Sequence, residues 1–329
     1  MTQKQDCHHA SKFKQFIKGD RRALAQAITL IESDRKEDRS KKDALLQKCF
    51  SDSSQSLRVG ISGTPGVGKS TFIEAFGLYA IEQGHRVAVL AIDPSSPLSH
   101  GAILGDKTRM SLLASNENAF IRPSPSGSIA GGVNKYTHET ILLCEAAGFD
   151  LILIETVGVG QEEADVVDHV DLTILLMSPT GGDAIQGMKK GLLELVNLIL
   201  VNKADGTLKP LAFQMAKELK QTLSMSVNRS SQKVMTISAL EKTGMDQVYA
   251  AVLDKETELK KTNQLKTHRQ QQNIRHFWAK IDQYLLEDCK EDERLKSLLA
   301  IGEKKMRDGL QTPSQAAQEI INAFLKRVT

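Results

Sequence analysis

The stretch Gly63-Thr64-Pro65-Gly66-Val67-Gly68-Lys69-Ser70 constrains this chain more than any other. It lies between an apolar run, Leu57 to Ser62, and a helix-like run from Thr71 to Gln83. A glycine-rich loop ending in Lys-Ser, set between strand and helix, is the arrangement that cradles phosphate. Glycines let successive backbone N–H groups turn inward around an anion, in conformations closed to bulkier residues. The helix that follows aims its positive end at the same point. Lys69 then supplies a mobile cation for the β- and γ-phosphates and Ser70 a hydroxyl for Mg²⁺. A purely structural turn would need the glycines but neither Lys69 nor Ser70. The stretch implies a nucleoside triphosphate site, with Gly63 to Thr71 as its phosphate-binding residues.

From Leu57 to about Leu259 strand-like and helix-like segments alternate, which predicts an α/β fold of the P-loop type with a mostly parallel central sheet flanked by helices. Strands are expected at 57–62, 86–92, 119–122, 150–155, 171–177, 196–201 and 233–237. Such sheets carry their chemistry at the carboxyl ends of the strands. Residues 1–50 read as an N-terminal helical extension, with Leu24, Ile28 and Ile31 at helical spacing behind a Gly19-Asp20 break and cap. Residues 51–260 form the nucleotide-binding domain. In 261–329 the strands stop, and Gln264 to Glu287 is one long helical pattern striped by Ile274, Phe277, Trp278, Ile281 and Leu285. Two more helices follow, the last started by Thr312-Pro313-Ser314. An arm of this kind must bury its stripe, so a homodimer is expected.

Carboxylates stand at the strand ends. Asp93 closes the second strand and Glu155 the fourth, positions from which they can hold Mg²⁺-bound water or orient an attacking one. For Asp93 the bland alternative is a turn residue before Pro94. Asp106, three residues before Arg109, offers a further metal contact, though in isolation the pair is no better than a surface ion pair. Lys69, Asp93 and Glu155 are thus the candidate catalytic residues, and Ser70, Asp93, Asp106 and Glu155 the candidate metal set. Gly158 can free a backbone N–H for the γ-phosphate. Val159 stands where Ras-like GTPases carry a water-orienting glutamine, so slow intrinsic hydrolysis is expected.

The sixth strand runs into Asn202-Lys203-Ala204-Asp205. An aspartate here can accept from guanine N1–H and the exocyclic amine together, and adenine cannot reciprocate; a desolvated carboxylate left unmatched is costly, which rejects ATP. The Lys203 stem packs on the base. Ser238-Ala239-Leu240, after the seventh strand, can contribute a backbone N–H to the guanine carbonyl. Between these motifs, the glycine-rich segment containing Gly182, Asp183, Gln186 and Lys189 suits either a partner-sensing switch or an ordinary strand-to-helix connection.

Composition closes several other routes. Net charge is +3 and aromatics are five per cent, so the chain has no polyanion-binding signature and few stacking platforms for nucleic acid. The apolar runs are too short to span a bilayer, and the N-terminus lacks an apolar signal core. Four scattered cysteines read as reduced thiols, and a cytoplasmic setting is expected. Cys7-His8-His9 is a poor metal cluster, because three adjacent ligands cannot all face one ion.

With these residues read, the chain resembles the methylmalonyl-CoA mutase-associated GTPases, G-protein chaperones of adenosylcobalamin-dependent acyl-CoA mutases. The likeness runs from Gly19 to Ser33, through Gly63–Thr71, Asp93–Ser96 and Asp106–Met110, to Glu155–Gln161, Asn202–Asp205 and the Trp278-bearing arm. Glu155-Thr156-Val157-Gly158-Val159-Gly160-Gln161 together with Asp106-x-x-Arg109-Met110 is the specific part. The resemblance implies that Asp93, Asp106 and Glu155 surround Mg²⁺ and the attacking water. It implies that the Gly182–Lys189 loop reports nucleotide state to a mutase, that the C-terminal arm dimerises, and that GTP hydrolysis gates cofactor delivery and protects or reactivates the mutase. A metal-insertion GTPase and an ATPase or kinase of amino-acid transport, a label relatives have carried, are the alternatives.

Overall fold

The computed structural model describes residues 20–33, 35–51, 56–93, 110–125, 136–155, 167–180, 195–224 and 232–325. By the density of its internal packing the chain falls into two compact units, Met1–Arg269 and Gln270–Thr329.

The first unit is built on a parallel sheet of β1 (Leu57–Gly63), β2 (Val87–Asp93), β3 (Ala119–Pro125), β4 (Leu151–Glu155), β5 (Leu172–Met177), β6 (Leu198–Val201) and β7 (Lys233–Thr236). Their order across the sheet is β3-β2-β4-β1-β5-β6-β7. The seven expected strands are all present. β6 begins later than expected because Asn197 is spent on its neighbour: its side-chain oxygen accepts from the Thr173 N–H at 2.8 Å, and the ladder proper starts at Ile174↔Leu198. Strands buried on both faces read as continuous apolar runs, and β1, β4, β5 and β6 are buried throughout.

Helices cover both faces. On one, α3 (Lys69–Glu82), the short α4 (Ser111–Ser115) and α7 (Met245–Lys261) pack Phe72, Phe76, Leu113 and Val248 onto Ile61, Leu153 and Ile174. On the other, α1 (Arg21–Ile31), α2 (Arg39–Ser51) and α5 (Thr137–Ala146) place Leu24, Ile28 and Ile141 against Ile152 and Ile154, while α6 (Lys209–Ser224) covers Leu175, Ile199 and Val234. Asp20 caps α1, its Oδ1 accepting from the N–H groups of Arg22 at 2.8 Å and Ala23 at 3.2 Å. The same helix closes the β3 edge: the Arg21 guanidinium donates to the carbonyls of Asn116 at 2.7 Å and Ala119 at 2.9 Å, and Glu32 pairs with Arg122.

The end of the sheet opposite the strand carboxyl termini is tied by ion pairs. Arg58 donates to Glu145 through Nε at 2.9 Å, with both side chains buried, and Ser56 Oγ joins the same carboxylate at 2.6 Å. Asp171, fully buried, accepts from the Arg58 N–H at 2.9 Å and from Arg269 Nε at 2.8 Å. Arg269 also donates to the Ser56 carbonyl at 2.5 Å. Despite the opposing effect of burial, hydrogen bonding and charge from Asp171 hold the Arg269 guanidinium above its ordinary range. Burial pushes the Cys144 thiol well up, so this cysteine is no nucleophile. Among the described residues Cys49, Cys144 and Cys289 are unbridged.

The second unit comprises the rest of α8 (Gln264–Glu291), α9 (Glu293–Arg307) and α10 (Pro313–Leu325). Asp292 caps α9 with an oxygen 2.9 Å from the Arg294 N–H. Thr312 and Gln315 form a reciprocal cap before α10, Thr312 Oγ1 accepting from the Gln315 N–H at 3.3 Å and Gln315 Oε1 from the Thr312 N–H at 3.2 Å. Within this unit Leu295 and Ala316 are buried, yet Phe277, Trp278, Ile301 and Leu325 are exposed. No described helix is long and apolar enough to cross a membrane.

Candidate nucleotide site

The carboxyl ends of β1, β2, β4, β6 and β7, all on the same side of the sheet, carry the expected residues. β1 and β5 are neighbours, β4 flanks β1 on the other side and β6 flanks β5. The carboxyl ends of β1, β4 and β6 therefore lie along one edge of the sheet, although their residues lie far apart in sequence.

The loop after β1 has the glycine conformations expected for an anion cradle. Gly63, Gly66 and Gly68 have φ of 151°, 75° and 98°, angles that L side chains rarely adopt. Space is as restrictive as angle at two of them. A Cβ on Gly63 would meet the Leu176 carbonyl oxygen at 2.6 Å, and one on Gly68 the Asn202 amide nitrogen at 2.7 Å. Lys69 is buried at the first position of α3 and folds back over the loop, Nζ donating to the carbonyl of Gly63 at 2.8 Å and that of Thr64 at 3.5 Å. Thr71, two positions further along α3, is exposed.

Ser70 lies beside it and donates to Glu155 Oε1 at 3.0 Å. Glu155 is buried at the last position of β4. The register Ala91↔Glu155 sets Asp93 two positions further along β2, as its last residue. A hydroxyl and a carboxylate in contact, close to a strand ending in aspartate, form the hard-oxygen set that suits Mg²⁺. Asp106 and the expected switch residues Gly182, Asp183, Gln186 and Lys189 lie outside the described residues, as does Cys7-His8-His9.

At the β6 end Asn202 is buried and spans two loops. Its Nδ2 donates to the Val67 carbonyl at 2.9 Å, and its Oδ1 accepts from the Ala239 N–H at 3.0 Å. Lys203 has a left-handed backbone, φ 61°, which lays its side chain along the phosphate loop, Nζ donating to the Gly66 carbonyl at 2.7 Å. Asp205 pairs with the Ser238 hydroxyl, and that oxygen accepts from the Glu241 N–H at 3.0 Å. The Ser238 turn is closed by a bridge to Thr243, while Leu240 at its tip is 76% exposed. Phosphate loop, Asn202–Asp205 and Ser238–Leu240 are thus one hydrogen-bonded body. Sequence motifs name these residues but not the contacts that join them, which run from side chains to distant backbone atoms.

Comparison with known proteins agrees with this geometry. Residues 24–294 match the family described as methylmalonyl Co-A mutase-associated GTPase MeaB. The GTPase ArgK of Escherichia coli is 45% identical over 268 residues, 80% of this chain and 81% of that protein. A mouse protein named methylmalonic aciduria type A homolog, mitochondrial, is 40% identical, covering 94% of this chain and 78% of its own length. A crystal structure of a LAO/AO transport system kinase superposes with a TM-score of 0.71 at 33% identity, covering 97% of this chain and 98% of that one. The chain belongs to the MeaB family of methylmalonyl-CoA mutase-associated GTPases.

Proposed function

We propose that this GTPase gates cofactor loading of an adenosylcobalamin-dependent acyl-CoA mutase, methylmalonyl-CoA mutase before others, and protects or reactivates it, working as a cytoplasmic homodimer. The observation that carries the nucleotide reading is Asn202, whose carboxamide joins the phosphate loop to the loop expected to face guanine. Asp205, aligned by the Ser238 hydroxyl, accepts from the guanine edge, and an adenine would leave it unmatched. Loop N–H groups and Lys69 bind the β- and γ-phosphates, Lys69 exchanging its carbonyl partners for phosphate oxygen. Ser70, with Glu155, Asp93 and Asp106, would hold Mg²⁺, which when bound neutralises developing phosphate charge.

Hydrolysis is slow in isolation because Val159 cannot orient water, so the partner supplies acceleration, with Gly182 to Lys189 as the sensing segment. Dimerisation is supported by the apolar side chains the second unit leaves exposed, Trp278 at 60% among them. The gating reading is tested by following adenosylcobalamin transfer to the apo-mutase, and survival of mutase activity over repeated turnover, with GTP or a non-hydrolysable analogue. The expected result is protection by both nucleotides but cofactor release only on hydrolysis. Identical time courses with GTP, the analogue and no nucleotide would overturn it.

A further inference from the structure

The end of the sheet away from the phosphate loop has a cavity of its own. It measures about 150 Å³ and lies between α3, α7 and the amino ends of β1 and β4. Leu57 and Leu151, paired at the first register of those strands, line it with Phe76 and Val252, and all four are buried. Polar groups line the rest. His85, Tyr249 and Glu256 are half-buried and Asp150 is exposed, so the floor is apolar and the mouth polar. The way α3 stops puts His85 there. Gly84 takes φ 98°, its N–H donates to the Ile81 carbonyl at 2.9 Å, and the His85 N–H donates to that of Ala80 at 3.1 Å. This helix end turns the chain back over its own last turn. The His85 Nε2 is then hydrogen-bonded to the Tyr249 hydroxyl on α7 at 2.7 Å. Its Nδ1, shielded from water, lies 3.2 Å from Asp150 Oδ1 without being aligned for a hydrogen bond. That oxygen accepts from the Arg86 N–H at 2.9 Å, and among the described residues no lysine or arginine side chain pairs with Asp150. Glu256 is offset by Lys260 at 2.6 Å. The local field is negative: burial, then Asp150, Tyr79 and Glu256, hold the Tyr249 phenol above its ordinary range.

We propose that this cavity binds a small monoamine cation, with its hydrocarbon body on Leu57, Phe76, Leu151 and Val252 and its ammonium on Asp150. Volume sets the size, since an apolar-walled cavity of about 150 Å³ takes a molecule of about the size of benzene. Charge sets the head group. An ammonium donates to the Asp150 carboxylate at the mouth, whereas a carboxylate of the same shape would face Asp150 and Glu256 and be rejected. A free amino acid carries that carboxylate and is rejected with it. Helix α3 separates this cavity from Lys69 by its own length, about 20 Å, so the amine and the nucleotide do not compete.

The test is calorimetric titration of full-length protein, with and without saturating GDP, by 3-methylbutylamine, 3-methylbutanol and 3-methylbutanoate. The amine should bind with a Kd of about 1 mM or tighter, about tenfold better than the alcohol, and the carboxylate should give no heat. Asp150→Asn keeps an acceptor for the Arg86 N–H and should bring the amine down to the affinity of the alcohol, a loss of about tenfold. Leu253→Phe adds volume at a half-buried wall of the cavity and should weaken amine and alcohol alike, with thermal melting as the check that it is folded. No heat from the amine up to about 20 mM overturns the proposal, as does binding of the carboxylate as tight as that of the amine. Amine affinity unchanged by Asp150→Asn overturns it too, and so does affinity unchanged in a folded Leu253→Phe protein. Displacement of the amine by GDP would place it at the nucleotide site and overturn the proposal as well.

Discussion

The amide nitrogen of Asn202 donates to the carbonyl of Val67 across 135 positions of sequence, at 2.9 Å and out of contact with water. The oxygen of the same carboxamide takes the N–H of Ala239. One side chain therefore sets the spacing between the phosphate loop and the loop after β7. Asn202→Ala leaves a buried carbonyl and a buried N–H unmatched, each worth about 1–3 kcal/mol, so GDP affinity should fall by about one to three orders of magnitude. Titration with a fluorescent GDP analogue reads this directly, and affinity within twofold of wild type would count against the bridging role.

Asp205 offers a sharper, base-specific outcome. Asp205→Asn exchanges an acceptor for a donor at the guanine edge, so GTP affinity should drop by about two orders of magnitude or more, as for a site built to pair a polar group it no longer matches. Competition by GTP, XTP and ATP for bound nucleotide is the check. The substitution should favour XTP, whose extra carbonyl accepts where guanine donates. Unchanged GTP preference would remove Asp205 from base recognition.

Gly63 and Gly68 should not tolerate alanine. At Gly63 the added carbon would press on the Leu176 backbone oxygen, which cannot swing away, and at Gly68 it would displace Asn202. Gly68→Ala also demands φ 98° of a residue with a Cβ. Gly63→Ala is expected to lower the thermal midpoint, and Gly68→Ala to weaken nucleotide binding more than it lowers the midpoint. Equal effects on both measurements would argue that crowding at Asn202 is not the reason.

Arg269 belongs to a network remote from the nucleotide. Removing it leaves the fully buried Asp171 carboxylate with the Arg58 N–H but without its charge partner. Arg269→Ala should therefore cost about 3–5 kcal/mol of stability, the usual penalty for breaking a buried pair. Arg269→Lys should recover only part, because an ammonium cannot reach both Asp171 oxygens and the Ser56 carbonyl as the guanidinium does. Denaturant unfolding followed by far-UV circular dichroism measures both variants.

What could be read beforehand divides along physical lines. The strands were legible because a strand buried on both faces must be an unbroken apolar run, as Leu151 to Ile154 is, and the Asp20 cap because its partners lie two and three residues away. Candidate site residues could be named where one side chain would do one job for the expected ligand, as with Lys69 and Asp205. The contacts that build the site could not. Asn202 with Val67 and Ser70 with Glu155 join side chains to groups 135 and 85 positions distant. The first of those partners is a backbone atom, which every residue possesses, so no residue type marks it. The Arg269–Asp171 pair escaped for a related reason: one Arg and one Asp 98 positions apart are indistinguishable from surface charges until the fold buries them.

The central claim joins a GTPase to a mutase, and GTP turnover by purified protein, alone and with an adenosylcobalamin-dependent acyl-CoA mutase from the same source, tests it most directly. The expected result is a slow basal rate that rises on adding the mutase and disappears in Lys69→Ala. A basal rate that the mutase leaves unchanged would contradict the coupling while leaving the GTPase in place.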